Sequence, residues 1–155
     1  MYRKILVPLD GSELSESVLP HVEGIAKGCG VEKIDLLTVI PKLSVSYTFS
    51  DQRYVQDLAD KTIGKEKAAA DKYLEKIAKK LAAKGIKAEP CVHIGNPAEE
   101  IAIHAESGGC DLIIIATHGR SGPSRLAFGS VADKVLSASC VPVMMVRPPK
   151  CMPKV

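Results

Sequence analysis

The residues best placed to do chemistry in this chain lie between positions 116 and 130, in the run ATHGRSGPSRLAFGS. Before it stands the apolar run Leu112-Ile113-Ile114-Ile115, and after it Val131-Ala132-Asp133-Lys134-Val135-Leu136. The first reads as a buried parallel strand and the second as a helix. A glycine-rich passage from a strand end into a helix start is a phosphate-holding device. Glycine lets the backbone come close, and the helix N-terminus offers unpaired N–H groups with a partial positive charge. His118, Arg120 and Arg125 lie in the passage. Arginine suits bidentate contact with phosphate; exposed loop charge is the plainer reading of each. The passage predicts an anionic ligand of the nucleotide type.

Elements that position this passage can be read along the chain. Residues 4–9 form a first strand ending at Asp10-Gly11, and residues 12–27 a helix capped by Ser12, with Glu13 and Glu16 in its first turn and Gly28 and Gly30 ending it. Residues 33–40 give the second strand. Residues 41–53 are polar and aperiodic, a loop long enough to act as a lid on the ligand side of the sheet. A helix follows over about 54–84, with Tyr73, Leu74, Ile77, Ala78 and Leu81 inward and its Lys, Glu and Asp residues on a solvated face. Residues 87–93 are the third strand. Asn96-Pro97-Ala98-Glu99 starts the next helix as cap, first position and capping-box acid. Residues 111–117 are the fourth strand, about 130–138 the last helix and 142–147 the fifth strand. Ser130 with Asp133 reads as a capping box, a role compatible with offering N–H groups to phosphate.

Strands that alternate with helices run parallel, with right-handed crossovers and helices on both faces. Ligands in such sheets sit beyond the strand carboxyl ends where strand order reverses. That points to Pro8-Leu9-Asp10 and to residues 116–119. Asp10 can be a turn residue or helix cap, or it can receive hydrogen bonds from ribose hydroxyls or the adenine amino group.

Bulk composition narrows the partners. The 155 residues suit one domain, placed at 1–148 with a frayed tail at 149–155. A net charge of +3, no Trp and two Phe give no platform for nucleic acid. No apolar stretch is long enough for a membrane span or a signal peptide, so a cytoplasmic protein is expected. The cysteines, at 29, 91, 110, 140 and 151, form no C-x-x-C pair and read as reduced, mostly buried side chains, with Cys151 in the tail exposed. His21, His93 and His104 lack a Cys or acidic partner at ligand spacing and are assigned no chemistry.

The opening Ile5-Leu6-Val7-Pro8-Leu9-Asp10-Gly11-Ser12, the Gly95-Asn96-Pro97 helix start, the run Thr117-His118-Gly119-Arg120-Ser121-Gly122 and the closing Gly129-Ser130-Val131-Ala132 and Val141-Pro142-Val143 together resemble the universal stress protein family, over essentially the whole chain. The ATP-binding branch of that family carries G-x-x-G, nine residues, then G-[ST]. Gly119 matches the second glycine, residues 120–128 are the nine, and Gly129-Ser130 is the final pair. Ala116 stands at the first glycine position, where its methyl matters if the backbone needs φ > 0. The resemblance implies a three-layer α/β/α sandwich with a five-stranded parallel sheet of order 3-2-1-4-5, Rossmann-like and akin to the adenine nucleotide alpha hydrolases. It implies an adenine nucleotide (ATP, AMP or ADP), with Mg²⁺ riding on the phosphates, held by Pro8, Asp10, Val39, Ala116, Gly119, Arg120, Gly129, Ser130 and Val131. Val39 would contact adenine through its backbone.

Enzyme chemistry is not legible. There is no G-x-x-x-x-G-K-[ST], no G-x-S-x-G, no carboxylate pair recognisable as acid and base, and no metal-ligand cluster. Efficient phosphoryl transfer needs a positioned base or water-orienting residue, and none is evident. Three functions stay open: a regulatory module whose nucleotide state sets conformation or partner, a dimeric interaction protein without nucleotide, and a slow ATP hydrolase. In the implied strand order Val143, Met144, Met145 and Val146 form an edge strand, apolar on both faces, which suits antiparallel pairing with a second copy.

Overall fold

The computed structural model describes residues 1–42, 52–118 and 129–148. Its elements are β1 (Lys4–Pro8), α1 (Glu13–Glu16), α2 (Leu19–Cys29), β2 (Lys33–Pro41), α3 (Gln52–Ala82), β3 (Ala88–Gly95), α4 (Pro97–Ser107), β4 (Leu112–Ala116), α5 (Ser130–Ala138) and β5 (Val143–Val146). The strands form one parallel sheet of order β3-β2-β1-β4-β5. The expected Rossmann-like α/β architecture is present. No helix among the described residues is long and apolar enough to cross a membrane.

Alternation along each strand divides the core in two. Ile5, Val7, Leu112 and Ile114 face one side, where Val22 and Ala26 of α2 and Leu74, Ile77 and Leu81 of α3 cover them. Leu6, Ile113 and Ile115 face the other, against Ala98, Ile101 and Ala105 of α4 and Ala132 and Val135 of α5. β1 and β4 are buried on both faces, which is why they read as unbroken apolar runs. β5 is the edge strand; Met144 packs toward the first core and Met145 toward the second.

Several boundaries differ from the sequence reading. The expected helix over 12–27 is two: α1, capped by Ser12, which accepts the Ser15 N–H, and α2, which starts at Leu19. Pro20 in the first turn of α2 has no N–H with which to continue the helix from α1. Gly30, at φ 65°, closes α2 as expected. Asn96 Oδ1 accepts the Ala98 N–H at 3.1 Å, so α4 has its cap. Glu99 makes no return bond to Asn96 among the described residues. Most of the 41–53 loop lies outside the described residues; Pro41 ends β2, and residues 52 and 53 already belong to α3. The tail at 149–155 also lies outside them.

Ile113 sits at 0% exposure in the second core. Ile113→Ala should lower the unfolding free energy by about 2–5 kcal/mol, measured by urea denaturation as a shift in midpoint with unchanged slope.

Candidate functional site

Strand order reverses at β1, which lies between β2 and β4. A cleft of about 580 Å³ opens past the carboxyl ends of these three strands, a volume suited to a nucleotide-sized ligand. Pro8 and Asp10 line it from β1, Val39 from β2, Ala116 from β4, and Gly129, Ser130 and Val131 from the start of α5. These are seven of the nine residues expected there; Gly119 and Arg120, like Arg125, lie outside the described residues.

The junction of β4 and α5 shapes one end of the cleft. Thr117 N–H donates to Val146 O at 2.8 Å, and Thr117 O accepts the Gly129 N–H at 2.6 Å. A Cβ on Gly129 would meet Thr117 O at 2.7 Å, so only glycine fits. The helix begins at Ser130, with Gly129 as its N-cap and no side chain capping it. The expected Ser130–Asp133 capping box is therefore absent. Ser130 is one residue too far along to cap: it is the first helical residue, and its side chain is exposed. The first N–H groups of a helix have no intrahelical partner. Those of α5 start at the cleft wall formed by Ser130, Val131 and Ala132.

Ala116 is buried, and no non-glycine residue among those described has positive φ. Its methyl fits the observed backbone without strain. His118 is buried, with Nδ1 3.0 Å from Thr117 Oγ1, and is no exposed loop charge. Asp10 serves as a turn residue: its Oδ1 accepts the Ser12 N–H at 2.9 Å and the Ser12 hydroxyl at 2.6 Å, while the residue also lines the cleft.

Sequence reasoning missed the wall supplied by α3. Glu66, Ala69, Ala70 and Tyr73 line the cleft from that helix. The period marked Tyr73 as core, yet nothing local showed which part of the helix would overhang the strand ends. The Tyr73 hydroxyl is buried without a hydrogen bond of good geometry. Burial first, then the Glu16 carboxylate, push the phenol up, so it stays protonated. Thr38 of β2 also lines the cleft, its hydroxyl donating to Leu9 O at 2.8 Å.

A second polar cluster, on the α4 face, was also missed. The Asp35 side chain on β2 is 4% exposed, and its carboxylate meets Lys4 Nζ at 2.9 Å, Lys33 Nζ at 3.4 Å and His104 Nε2 at 3.0 Å. Burial raises its carboxyl pKa, but the hydrogen bonds from Lys4 and His104 outweigh burial and hold it below the usual carboxylate range. His104 Nδ1 lies 3.3 Å from His93 Nε2, and His93 Nδ1 3.0 Å from Glu100 Oε2. The partners come from β1, β2, β3 and α4, so no sequence spacing announces them. Among the described residues no three or more His, Cys, Asp and Glu side chains converge on a single point.

Sheet order, crossover helices and a ligand cleft at the switch point define a Rossmann-like α/β protein. The chain belongs to the universal stress protein family, whose pattern it matches over residues 1–147. It is 33% identical to universal stress protein MJ0577 of Methanocaldococcus jannaschii, over 95% of this chain and 96% of that one. The solved structure of MJ0577 superposes with a TM-score of 0.81. It is also 33% identical to universal stress protein YxiE of Bacillus subtilis, over 95% of this chain and all of that one. More distant structures of the same fold include a universal stress protein in complex with cAMP, 22% identical over 94% of this chain and 97% of that one, with a TM-score of 0.64. Another is an Arabidopsis thaliana family member with AMP bound, 20% identical over 94% of this chain and 92% of that one, with a TM-score of 0.63.

Two outcomes follow from the site geometry. Gly129→Ala forces its methyl against a backbone carbonyl and should destabilise by about 1–3 kcal/mol, read from the thermal midpoint. Asp35 has a folded pKa below its unfolded value of about 3.9, so its stabilisation is present above that pH and is lost as pH falls through the folded pKa. Asp35→Asn should therefore be less stable than wild type at pH 7, and the gap should close on acidification, as followed by denaturation from pH 7 to 2.

Proposed function

We propose that the cleft binds an adenine nucleotide, ATP or its AMP and ADP relatives, as a regulatory ligand. One observation carries this: the uncapped N-terminus of α5, pinned by Gly129 against Thr117, starts in the wall of a cleft at the sheet's switch point. Phosphate oxygens would accept the N–H groups of Ser130 and Val131 and the Ser130 hydroxyl. The 119–128 segment, with Gly119 and Arg120, would complete the phosphate site. Ribose and base would lie toward Asp10 and Val39, between β2 and the α3 wall. Relatives solved with AMP and cAMP support the ligand class.

Mg²⁺ would ride on the phosphates, its shell completed by water. No group in the described cleft wall is arranged as a base for an attacking water, so hydrolysis would be slow at most. The reading is therefore a module whose nucleotide state sets conformation or partner choice. We read residues 1–148 as one domain and the protein as cytoplasmic. We also infer a homodimer paired through β5, Val143–Val146, whose outer edge has no neighbouring strand among the described residues. Sedimentation at tens of micromolar should give the dimer mass; a monomer there removes the pairing.

The binding test is calorimetry with ATP-Mg²⁺. Wild type should bind at micromolar to millimolar nucleotide. Ser130→Ala should weaken binding about tenfold or more, since a hydrogen bond to a charged group contributes about 1.5–3 kcal/mol. Because Ser130 is exposed and caps nothing, the same substitution should leave the thermal midpoint nearly unchanged. No heat and no thermal shift at millimolar ATP-Mg²⁺ would favour an interaction protein without nucleotide.

A further inference from the structure

His93 and His104 face each other between β3 and α4, and each is held from behind by a carboxylate. His93 Nδ1 is 3.0 Å from Glu100 Oε2, and His104 Nε2 is 3.0 Å from Asp35 Oδ2. An ionised carboxylate only accepts hydrogen bonds. The outer nitrogen of each ring must therefore carry its proton: Nδ1 of His93 and Nε2 of His104. A neutral imidazole has one N–H, so the two inner nitrogens are left with lone pairs aimed at each other across 3.3 Å. Nitrogens facing each other in this way are held together either by a proton, as an N–H···N bond from a doubly protonated ring, or by a metal ion between them.

We propose that the gap between His93 Nε2 and His104 Nδ1 is a binding site for a divalent transition-metal ion of the zinc class. Two imidazole nitrogens on one tetrahedral zinc, each about 2.0–2.1 Å from the metal, lie about 3.4 Å apart. The observed separation is 3.3 Å, and the rings meet edge to face at 63° rather than stacked, which lets their lone pairs converge. A carboxylate bonded to the far N–H of a ligating histidine fixes its tautomer and raises its basicity. Both histidines have one here, Glu100 and Asp35. The other charges around the cluster are the ammonium groups of Lys4 and Lys33, which contact Asp35, and the Glu89 carboxylate paired with Lys33.

Access is one-sided. The His93 and Glu100 side chains are 33% and 29% exposed, whereas His104 and Asp35 are 14% and 4%. The ion would enter from the His93 side and complete its shell with water, as an exchangeable site with two protein ligands. Imidazole nitrogen suits zinc, copper and nickel, not calcium or magnesium. A metal here would brace α4 against β3, and α4 supplies Pro97 and Ile101 to the wall of the cleft.

The test uses the full chain, stripped with a chelator and titrated with zinc chloride by calorimetry, with the thermal midpoint read in parallel. Wild type should take up one zinc per chain and melt at a higher temperature. Neither effect should survive in His93→Ala or His104→Ala. Glu100→Gln keeps both imidazoles and should bind about 10–100-fold more weakly; it carries the test if an alanine variant fails to fold, and unchanged affinity there overturns the proposal. Replacing the thiols exposed among the described residues together with the tail thiol, Cys29→Ser with Cys140→Ser and Cys151→Ser, should change nothing. Uptake that persists in His93→Ala places the metal elsewhere. No uptake by wild type, with nitrogen NMR showing a single proton shared between the inner nitrogens, makes the gap a proton site and overturns the proposal.

Discussion

The bond from Gly129 N–H to Thr117 O, 2.6 Å long, is the constraint on which the site depends. It joins Thr117, the first residue past β4, to Gly129, the N-cap of α5. It is so close that a methyl on Gly129 would lie 2.7 Å from the same carbonyl. The helix is held there by its backbone, and its N-cap, Gly129, brings no side chain to cap it. The electropositive end of α5 is thus fixed at the sheet's switch point, where an anion gains most from it.

The rest of the fold supports that placement. β1 and β4 are buried on both faces and fix the height at which their carboxyl ends stop. α4 and α5 pack on one face, α2 and α3 on the other, and α3 reaches over the strand ends to close the cleft. Asp10 holds the first turn through Ser12 and also lines the cleft, so its turn role leaves room for the proposed contact with the ligand. Two carboxylate–imidazole bonds, Asp35 to His104 and Glu100 to His93, tie α4 to β2 and β3. The helix wall beside the cleft is therefore anchored by directional bonds as well as by apolar packing.

Much of this was legible in the sequence. The apolar strand runs, the Ser12 and Asn96 caps and the Gly30 stop are local signals, and each appears where expected. The α1–α2 break was readable at Pro20, but the apolar spacing of Val18, Val22 and Ala26 masked it. Ser130 looked like a cap because Ser and Asp three apart form one elsewhere. Which residue caps is decided by where the backbone leaves the helix, and here Thr117, distant in sequence, decides it. The histidine cluster and the α3 wall were invisible for the same reason: residues 35, 93 and 104 meet only after β2 and β3 pair and α4 docks.

The central claim is that the free N–H groups at the start of α5 receive phosphate. The most direct measurement is a nitrogen–proton NMR titration of the labelled protein with ATP, following backbone amides. The account predicts the largest shifts at Ser130, Val131 and Ala132, reproduced in that turn by ADP and much reduced with adenosine, which lacks phosphate. Equal shifts with adenosine and ATP, or shifts confined to residues away from α5, would contradict it.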